Sequence, residues 1–309
     1  MNCNLDNSLD KEVPELLLHG NLKKISEMNI AEKFNNLKID INLDNLTKVA
    51  KNAATIGSEI INSNYNKIQK ISSKGREGDL VTNVDLEVER KIKDYLIDQT
   101  PKITILAEES GQSNKSSDLI WCIDPLDGTT NYSHGYPFFG TSIGLVYKGI
   151  PILGAVSIPY LNELYWGCIT KGSYCNNEKI KVSNSNNLSE SLLVTGFAYD
   201  RFETENNNYA EFCWLTHKTR GVRRGGAAAV DLAFVAAGKV DGFWERGLQI
   251  WDIAAGAIIV YEAGGIISNY PNGELDLNSG KILACNPKIN IELKEQLSQV
   301  TPFKTNFYT

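Results

Sequence analysis

The alternation of apolar and polar positions becomes regular only after about residue 40. Residues 1–40 are rich in Asn, Lys, Asp and Glu with weakly organised apolar positions, and read as an extension, partly helical or mobile. From Leu43 to Ile61 the spacing predicts a helix, with Leu46, Val49, Ala53, Ile56 and Ile60 on one face. SSKGREGD then breaks the pattern as a Gly-containing loop. Val84, Val88, Ile92 and Leu96 recur every four residues and predict a second helix, with Pro101 beyond its end. KITILAEES alternates Ile103 and Ile105 and stops at two adjacent acids. The run DLIWCIDP is short, continuous and apolar, as a buried strand is. FFGTSIGLVYKGIPILGAVSIPYLNELYWGCI holds three strand-like runs divided at Lys148-Gly149 and at 159–162, which predicts an antiparallel meander.

The second half has a different rhythm. SLLVTGFA, VDGFWE, GIISNY and KILACN predict strands, the last two divided by the turn YPNGE. AAAVDLAFVAAG predicts a helix closed by Gly238. WDIAAGAIIVYEAGG predicts a strongly apolar helix with Asp252 near its start and Gly264 at its end, and NIELKEQLSQV a last helix. No internal repeat or flexible linker interrupts the chain. The expected organisation is the extension 1–40, an N-terminal α+β lobe over 41–185 and a C-terminal α/β lobe over 186–309, with a cleft between the lobes.

Composition narrows the function. A chain of 309 residues can build two lobes, and a net charge of -6 disfavours nucleic acid or an anionic membrane as the main partner. A phosphate-handling site in such a chain needs a counter-charge other than bulk Lys and Arg, and bound metal is one candidate. No apolar run reaches membrane-span length, and the N-terminus lacks a basic segment followed by an apolar one, so neither a secretory nor a transit peptide is expected. The six cysteines form no CxxC pair and read as reduced, mostly buried thiols of a cytoplasmic protein.

The strongest chemical signal is the run from Asp124 to Asn131, DPLDGTTN. A buried strand delivers Asp124, and Pro125, lacking an N–H, ends the ladder. Asp127, three residues on, can point back towards Asp124. Gly128 allows close backbone approach, and Thr129 can open a helix whose first amides would bind phosphate. Two carboxylates beside such amides repel phosphate unless hard cations intervene, and Mg²⁺ suits oxygen ligands. The bland alternative is a polar turn with capping Asp and Thr, which an isolated Asp-x-x-Asp pair would usually be. Further acids at strand ends and helix starts argue against it: Asp79 and Asp85 in GDLVTNVD, Glu108 and Glu109 in AEES, and Asp252 in WDIAAG.

These blocks, in this order, resemble the signature segments of the inositol monophosphatase family from about Leu43 to the C-terminal region. The resemblance implies a layered αβαβα sandwich of the α+β class, a homodimer, Mg²⁺ dependence and inhibition by lithium. It implies that Glu108, Asp124 and the carbonyl of Leu126 bind one Mg²⁺, that Asp124, Asp127 and Asp252 bind a second, and that Glu108 shares in a weaker third site. Asp85 and Thr129 would orient and deprotonate the attacking water. The amides of Gly128 and Thr129 would hold phosphate oxygens. Glu109 and Asp79 would support the ligands, and Lys74 would fold over the metals. On the substrate side Gly226, Ala227 and Ala228 would line the sugar pocket and Glu245 would accept from substrate hydroxyls. Without the resemblance, the small residues read equally as helix packing, Glu245 as an exposed strand-end charge and Lys74 as an ordinary loop lysine. Some family members carry Ser or Thr where this chain has Ala227, which leaves the alcohol open.

Rival chemistries fit less well. An aspartyl nucleophile needs D-x-D-G-T rather than D-x-x-D-G-T, and a Cys phosphatase needs a Cys, five intervening residues and an Arg, whereas Cys213 has Thr219 at that place and Arg220 one position too late. There is no Walker A sequence. The GTSIG segment around Ser142 matches G-x-S-x-G but lies in a strand run with no following helix. His19, His134 and His217 are too dispersed for a zinc motif. The expected activity is hydrolysis of myo-inositol 1-phosphate without a phosphoenzyme. Histidinol phosphate, fructose 1,6-bisphosphate and 3'-phosphoadenosine nucleotides are the rival substrates, and a non-catalytic interaction protein is the rival class.

Overall fold

The structure, a computed structural model, describes residues 41–67, 71–73, 80–113 and 117–303. The extension 1–40 and the expected supporting residues Lys74 and Asp79 lie outside these residues.

Helix α1 (Leu43–Asn64) starts where Asn42 Oδ1 accepts from the backbone N–H of Asn45 at 3.0 Å. Its buried stripe runs through Leu46, Val49, Ala50, Ala53, Ala54, Gly57 and Ile61, while Ile56 and Ile60 are only half-buried. The stripe turns because Gly57 meets Thr141 closely: a Cβ on Gly57 would stand 2.5 Å from Thr141 Oγ1. Strands β1 (Ile71–Ser73) and β2 (Leu80–Thr82) form a small hairpin, too short and too exposed at β1 to leave an alternation in the sequence. Helix α2 (Asn83–Gln99) buries Val84, Val88, Ile92 and Leu96 as the spacing predicts, and with them Asp85 and Glu89.

The larger sheet follows, from β3 (Thr104–Ala107), β4 (Gly111–Gln112), β5 (Leu119–Asp127), β6 (Gly140–Tyr147), β7 (Ile150–Ile158), β8 (Glu163–Cys168), β9 (Gly172–Cys175) and β10 (Glu178–Lys179), with the short helix α3 (Thr129–Ser133) after β5. Its order is β10-β9-β8-β7-β6-β5-β3-β4. β6, β7 and β8 form the expected meander, and β3 and β5 run parallel. The second sheet contains β11 (Leu192–Thr195), β12 (Gly221–Arg224), β13 (Gly242–Arg246), β14 (Ile266–Ser268) and β15 (Lys281–Cys285) in the order β12-β11-β13-β15-β14. Its helices are α4 (Tyr209–Lys218), α5 (Ala228–Ala236), α6 (Ile250–Glu262) and α7 (Asn290–Ser298).

The layers run α1 and α2, large sheet, α5 and α6, small sheet, α4 and α7, an αβαβα sandwich of the α+β class. One continuous apolar core joins Val156 of β7, Val230 of α5, Ala255 of α6 and Phe243 of β13. Helix α6 lies against the large sheet over glycines: a Cβ on Gly144 would stand 2.7 Å from Ala254 Cβ, and one on Gly154 2.4 Å from the Ala255 carbonyl oxygen. Only a side-chain-free strand admits a helix this closely. Ser142, in the middle of β6, donates to the Trp251 carbonyl at 3.1 Å and anchors the start of α6. The G-x-S-x-G segment therefore seats a helix.

Candidate active site

A cleft of about 920 Å³ opens where the ends of β3, β5 and β13 meet the starts of α3, α5 and α6. Glu108, Asp124, Asp127 and Asp252 all line it. The backbone around Pro125 explains how two acids of one strand face the same space. β5 pairs with β6 as far as Asp124 opposite Ser142, then shifts register and resumes with Asp127 opposite Gly140. Such a bulge re-aims side chains. The Leu126 N–H, free of the ladder, donates to Asp124 Oδ1 at 3.0 Å.

Burial, and then neighbouring negative charge, disfavours ionisation of Asp124, Asp127 and Asp252. Burial, then the charges of Glu108, Asp127 and Asp252, hold the Asp124 carboxyl well above the usual range. Burial pushes Asp127 up to about 7, against the opposing pull of the Val230 and Ala229 amides. Burial and then Glu108 also hold Asp252 well above the usual range. A shared counter-cation would let these groups ionise together. Their donors are all oxygen, which suits Mg²⁺. Among the described residues no three His, Cys, Asp or Glu side chains are drawn to the spacing of one ion's ligands. The fit is therefore one of charge and donor chemistry.

Asp85 is fully buried beneath this cluster. It is the third residue of α2, where its Oδ2 accepts from the Thr82 N–H at 2.9 Å and from the Thr82 hydroxyl in a capping box. Its Oδ1 lies 2.8 Å from Thr129 Oγ1, which is also 3.0 Å from the Leu126 carbonyl. Burial raises the Asp85 carboxyl, and the hydrogen bonds from Thr82 and Thr129 oppose the rise. Thr129 lines the cleft whereas Asp85 does not, so Asp85 reaches the cleft through the Thr129 hydroxyl. Glu109 is half-buried and outside the cleft lining; its backbone N–H donates to Glu89 Oε2 at 2.7 Å.

The start of α5 and the segment before it also brace the loop after β5. Asp127 Oδ2 accepts from the N–H groups of Ala229 at 2.8 Å and Val230 at 3.2 Å, at the start of α5, where a helix favours negative charge. Asn131 Nδ2 donates to the carbonyls of Phe138 at 2.7 Å and Gly225 at 3.0 Å. Gly128 has φ 89°, and a Cβ there would stand 3.0 Å from the Phe138 carbonyl oxygen and 3.1 Å from Ala227 Cβ. Gly226, Ala227 and Ala228 line the cleft beside these contacts.

Glu245 faces the cleft from β13. It is 8% exposed, so it is not the surface charge that a bare strand end suggests. Burial pushes its carboxyl up to about 8, with Arg224 the main opposing charge. Its carboxylate occupies the space of a missing side chain, since a Cβ on Gly196 would stand 2.2 Å from Glu245 Oε1. The next residue, Arg246, forks onto Asp200 at 2.8 and 2.6 Å. His134 is exposed at the end of α3.

Three residues near the site escape sequence reasoning. Glu89 and Asn131 act through long-range backbone contacts that no spacing rule announces. Asp231 is buried on α5, and burial followed by Glu245 holds its carboxyl well above the usual range. A single acid inside the apolar run AAAVDLAFVAAG is the one sequence signal that could have found it.

The chain matches the inositol monophosphatase family over residues 42–301. An inositol-1-monophosphatase from Synechocystis is 51% identical over 243 residues, 78% of this chain and 84% of that protein. A protein of Aquifex aeolicus named fructose-1,6-bisphosphatase/inositol-1-monophosphatase is 40% identical over 244 residues, 77% of this chain and 92% of its own length. The structure of an inositol monophosphatase from Anabaena (Nostoc) matches with a TM-score of 0.78 at 44% identity, covering 85% of this chain and 99% of that one. With its layered sandwich and its acid-lined cleft, this chain belongs to the inositol monophosphatase family of phosphatases.

Proposed function

We propose that the chain hydrolyses myo-inositol 1-phosphate to inositol and phosphate by direct, Mg²⁺-dependent attack of water. The observation that carries this reading is the Thr129 hydroxyl, which links fully buried Asp85 to a cleft lined by Glu108, Asp124, Asp127 and Asp252 among other residues. Glu108, Asp124, the Leu126 carbonyl, Asp127 and Asp252 are the groups that would hold Mg²⁺. Bound Mg²⁺ would acidify water and offset charge on the leaving alkoxide.

The chain's own groups supply position and proton handling. Thr129 donates to Asp85 and so leaves Oγ1 lone pairs free to accept from a water in the cleft. Ionised Asp85 is the sink that lets Thr129 take that proton in turn. The N–H groups of Gly128 and Thr129 hold phosphate oxygens and align the ester bond opposite the water. The water oxygen bonds to phosphorus as the P–O ester bond breaks, and the departing alkoxide takes a proton from solvent water. Glu245 accepts from ring hydroxyls through a carboxyl oxygen and orients the polyol.

A second reading is hydrolysis of fructose 1,6-bisphosphate. It draws on the name of the Aquifex aeolicus relative and on Arg201 and Arg224, which line the cleft and whose positive charge would suit a second phosphate. Homodimerisation, inhibition by lithium, a cytoplasmic location and the lack of nucleic-acid or membrane partners belong to the same proposal. Among the described residues no helix is long and apolar enough to cross a membrane.

Phosphate release tests the reading. Purified protein is assayed with Mg²⁺ on inositol 1-phosphate, histidinol phosphate, fructose 1,6-bisphosphate and a 3'-phosphoadenosine nucleotide. The highest kcat/KM is expected on inositol 1-phosphate. A higher value on another substrate replaces the assignment, and folded protein that releases no phosphate from any of them overturns it.

A further inference from the structure

We propose that Glu89 is a positioning residue for Glu108: its carboxylate, one helical turn after Asp85, fixes the peptide that follows Glu108 and so aims Glu108 towards Asp124. The inference rests on the reading of Glu108 as a metal ligand.

Glu89 is 4% exposed, although glutamate is seldom buried without partners. Its partners lie in one place. Oε2 accepts from the Glu109 N–H at 2.7 Å, a charge-assisted bond, and Oε1 stands 3.9 Å from Lys93 Nζ. Lys93, four residues on along the same face of α2, also bonds to Ser110 Oγ. Two side chains of one helix face therefore grip consecutive residues of the turn between β3 and β4.

The grip matters because of what lies just before it. The Glu108 N–H donates to the Ile123 carbonyl at 3.1 Å, on the strand residue preceding Asp124. The amide on one side of Glu108 is thus tied to β5, and the amide on the other side to α2. With both flanking peptides held, the direction in which the Glu108 side chain leaves the backbone is set. Among the described residues the ladder at this turn is the pairing of β3 with β4, two residue pairs at the edge of the sheet. Such an edge by itself is a weak support for a ligand. Helix α2 supplies the stronger one, and it also carries Asp85 at its start. Both sides of the reaction, the proton-accepting Asp85 and the ligand Glu108, are thereby referenced to one rigid element. Glu89 does not line the cleft and takes no part in the proposed proton path.

The test uses the full-length protein with Mn²⁺ as a paramagnetic probe of the Mg²⁺ site. Mn²⁺ binding is read by electron paramagnetic resonance, alongside kcat, KM and the thermal midpoint. Glu89→Gln keeps an oxygen that can accept from Glu109, so near-normal binding is expected. Glu89→Asp keeps the charge but shortens the reach, and should weaken Mn²⁺ binding and lower kcat roughly ten- to a hundredfold, as loss of a ligand-orienting partner does. KM should change little, because Glu89 touches no substrate. Glu89→Ala should resemble Glu89→Asp, and the aspartate variant decides if the alanine variant fails to fold. Folded Glu89→Asp with normal Mn²⁺ binding, or with only a lowered thermal midpoint, overturns the inference. A wild-type protein that binds no Mn²⁺ overturns both this inference and the functional reading beneath it.

Discussion

Asp127, at the end of β5, accepts a 2.8 Å hydrogen bond from the backbone N–H of Ala229 at the start of α5. A carboxylate at the end of a strand of the larger sheet is thereby pinned to a helix that precedes strand β13 of the smaller one. One side chain serves both the charge of the site and the seam between the sheets.

These two roles can be separated. Asp127→Asn keeps an oxygen for the Ala229 N–H, whereas Asp127→Ala keeps none. Both should abolish turnover, since both remove a charge from the proposed metal site. Only the alanine variant should lose the tether, at about 0.5–1.5 kcal/mol for a neutral hydrogen bond. Denaturant unfolding of the metal-free variants measures the difference. Equal stabilities would show that the tether contributes nothing.

Metal-free protein should lose stability as pH rises. Asp127 sits at about 7 in the folded chain against an ordinary 3.8, so between these values the folded state keeps a proton that the unfolded state has lost. Stability then falls with pH across that window. Asp124 and Asp252, raised as well, contribute with the same sign. Thermal melts in a chelator should show a lower midpoint at pH 8 than at pH 5, and added Mg²⁺ should raise it more at pH 8. A midpoint that climbs between these pH values without metal would contradict the raised acids.

The Asp85–Thr129 pair should behave as a unit. Thr129→Ala should cut kcat by roughly 10²–10⁴, the usual worth of a positioned acid–base group. Asp85→Asn should do about the same, and the double variant should be little worse than either. Thr129→Ser keeps the hydroxyl and should retain most of the activity. Additive losses in the double variant would mean that the two residues act separately.

Glu245 and Asp252 are seven positions apart in sequence, and under the proposed function they divide the chemistry between them. Glu245→Gln should lower kcat/KM on inositol 1-phosphate roughly ten- to a hundredfold, matching about 1.5–3 kcal/mol for a charged hydrogen bond to a hydroxyl. It should spare p-nitrophenyl phosphate and the Mg²⁺ requirement. Asp252→Asn should raise the Mg²⁺ requirement and slow both substrates. Equal damage by Glu245→Gln to both substrates, with a shifted Mg²⁺ curve, would place Glu245 among the metal ligands.

Deleting residues 1–38 should leave kcat within a few-fold, since the family match begins at residue 42 and the first described helix at Leu43. Loss of activity from a truncated chain that still folds would show that the extension contributes to the site.

Residues 42–301 belong to a known family, yet what was legible in their sequence was mostly local. The helix spacing of Val84, Val88, Ile92 and Leu96, the meander of β6 to β8, and Asp124 and Asp127 three residues apart each depend on neighbours along the chain. Periodicity and turn chemistry are written at that range. Tertiary structure decided the rest. It turned the buried stripe of α1 through Gly57, because Thr141 approaches from a distant strand. It made the segment around Ser142 the seat of α6. It buried Glu245 in the space left by Gly196, and brought the Glu109 amide onto Glu89 and the Ala229 amide onto Asp127. The physical reason is common to these cases. A backbone amide donates identically in every residue but proline, so its partner is chosen by where packing brings an acceptor. No residue type records that choice.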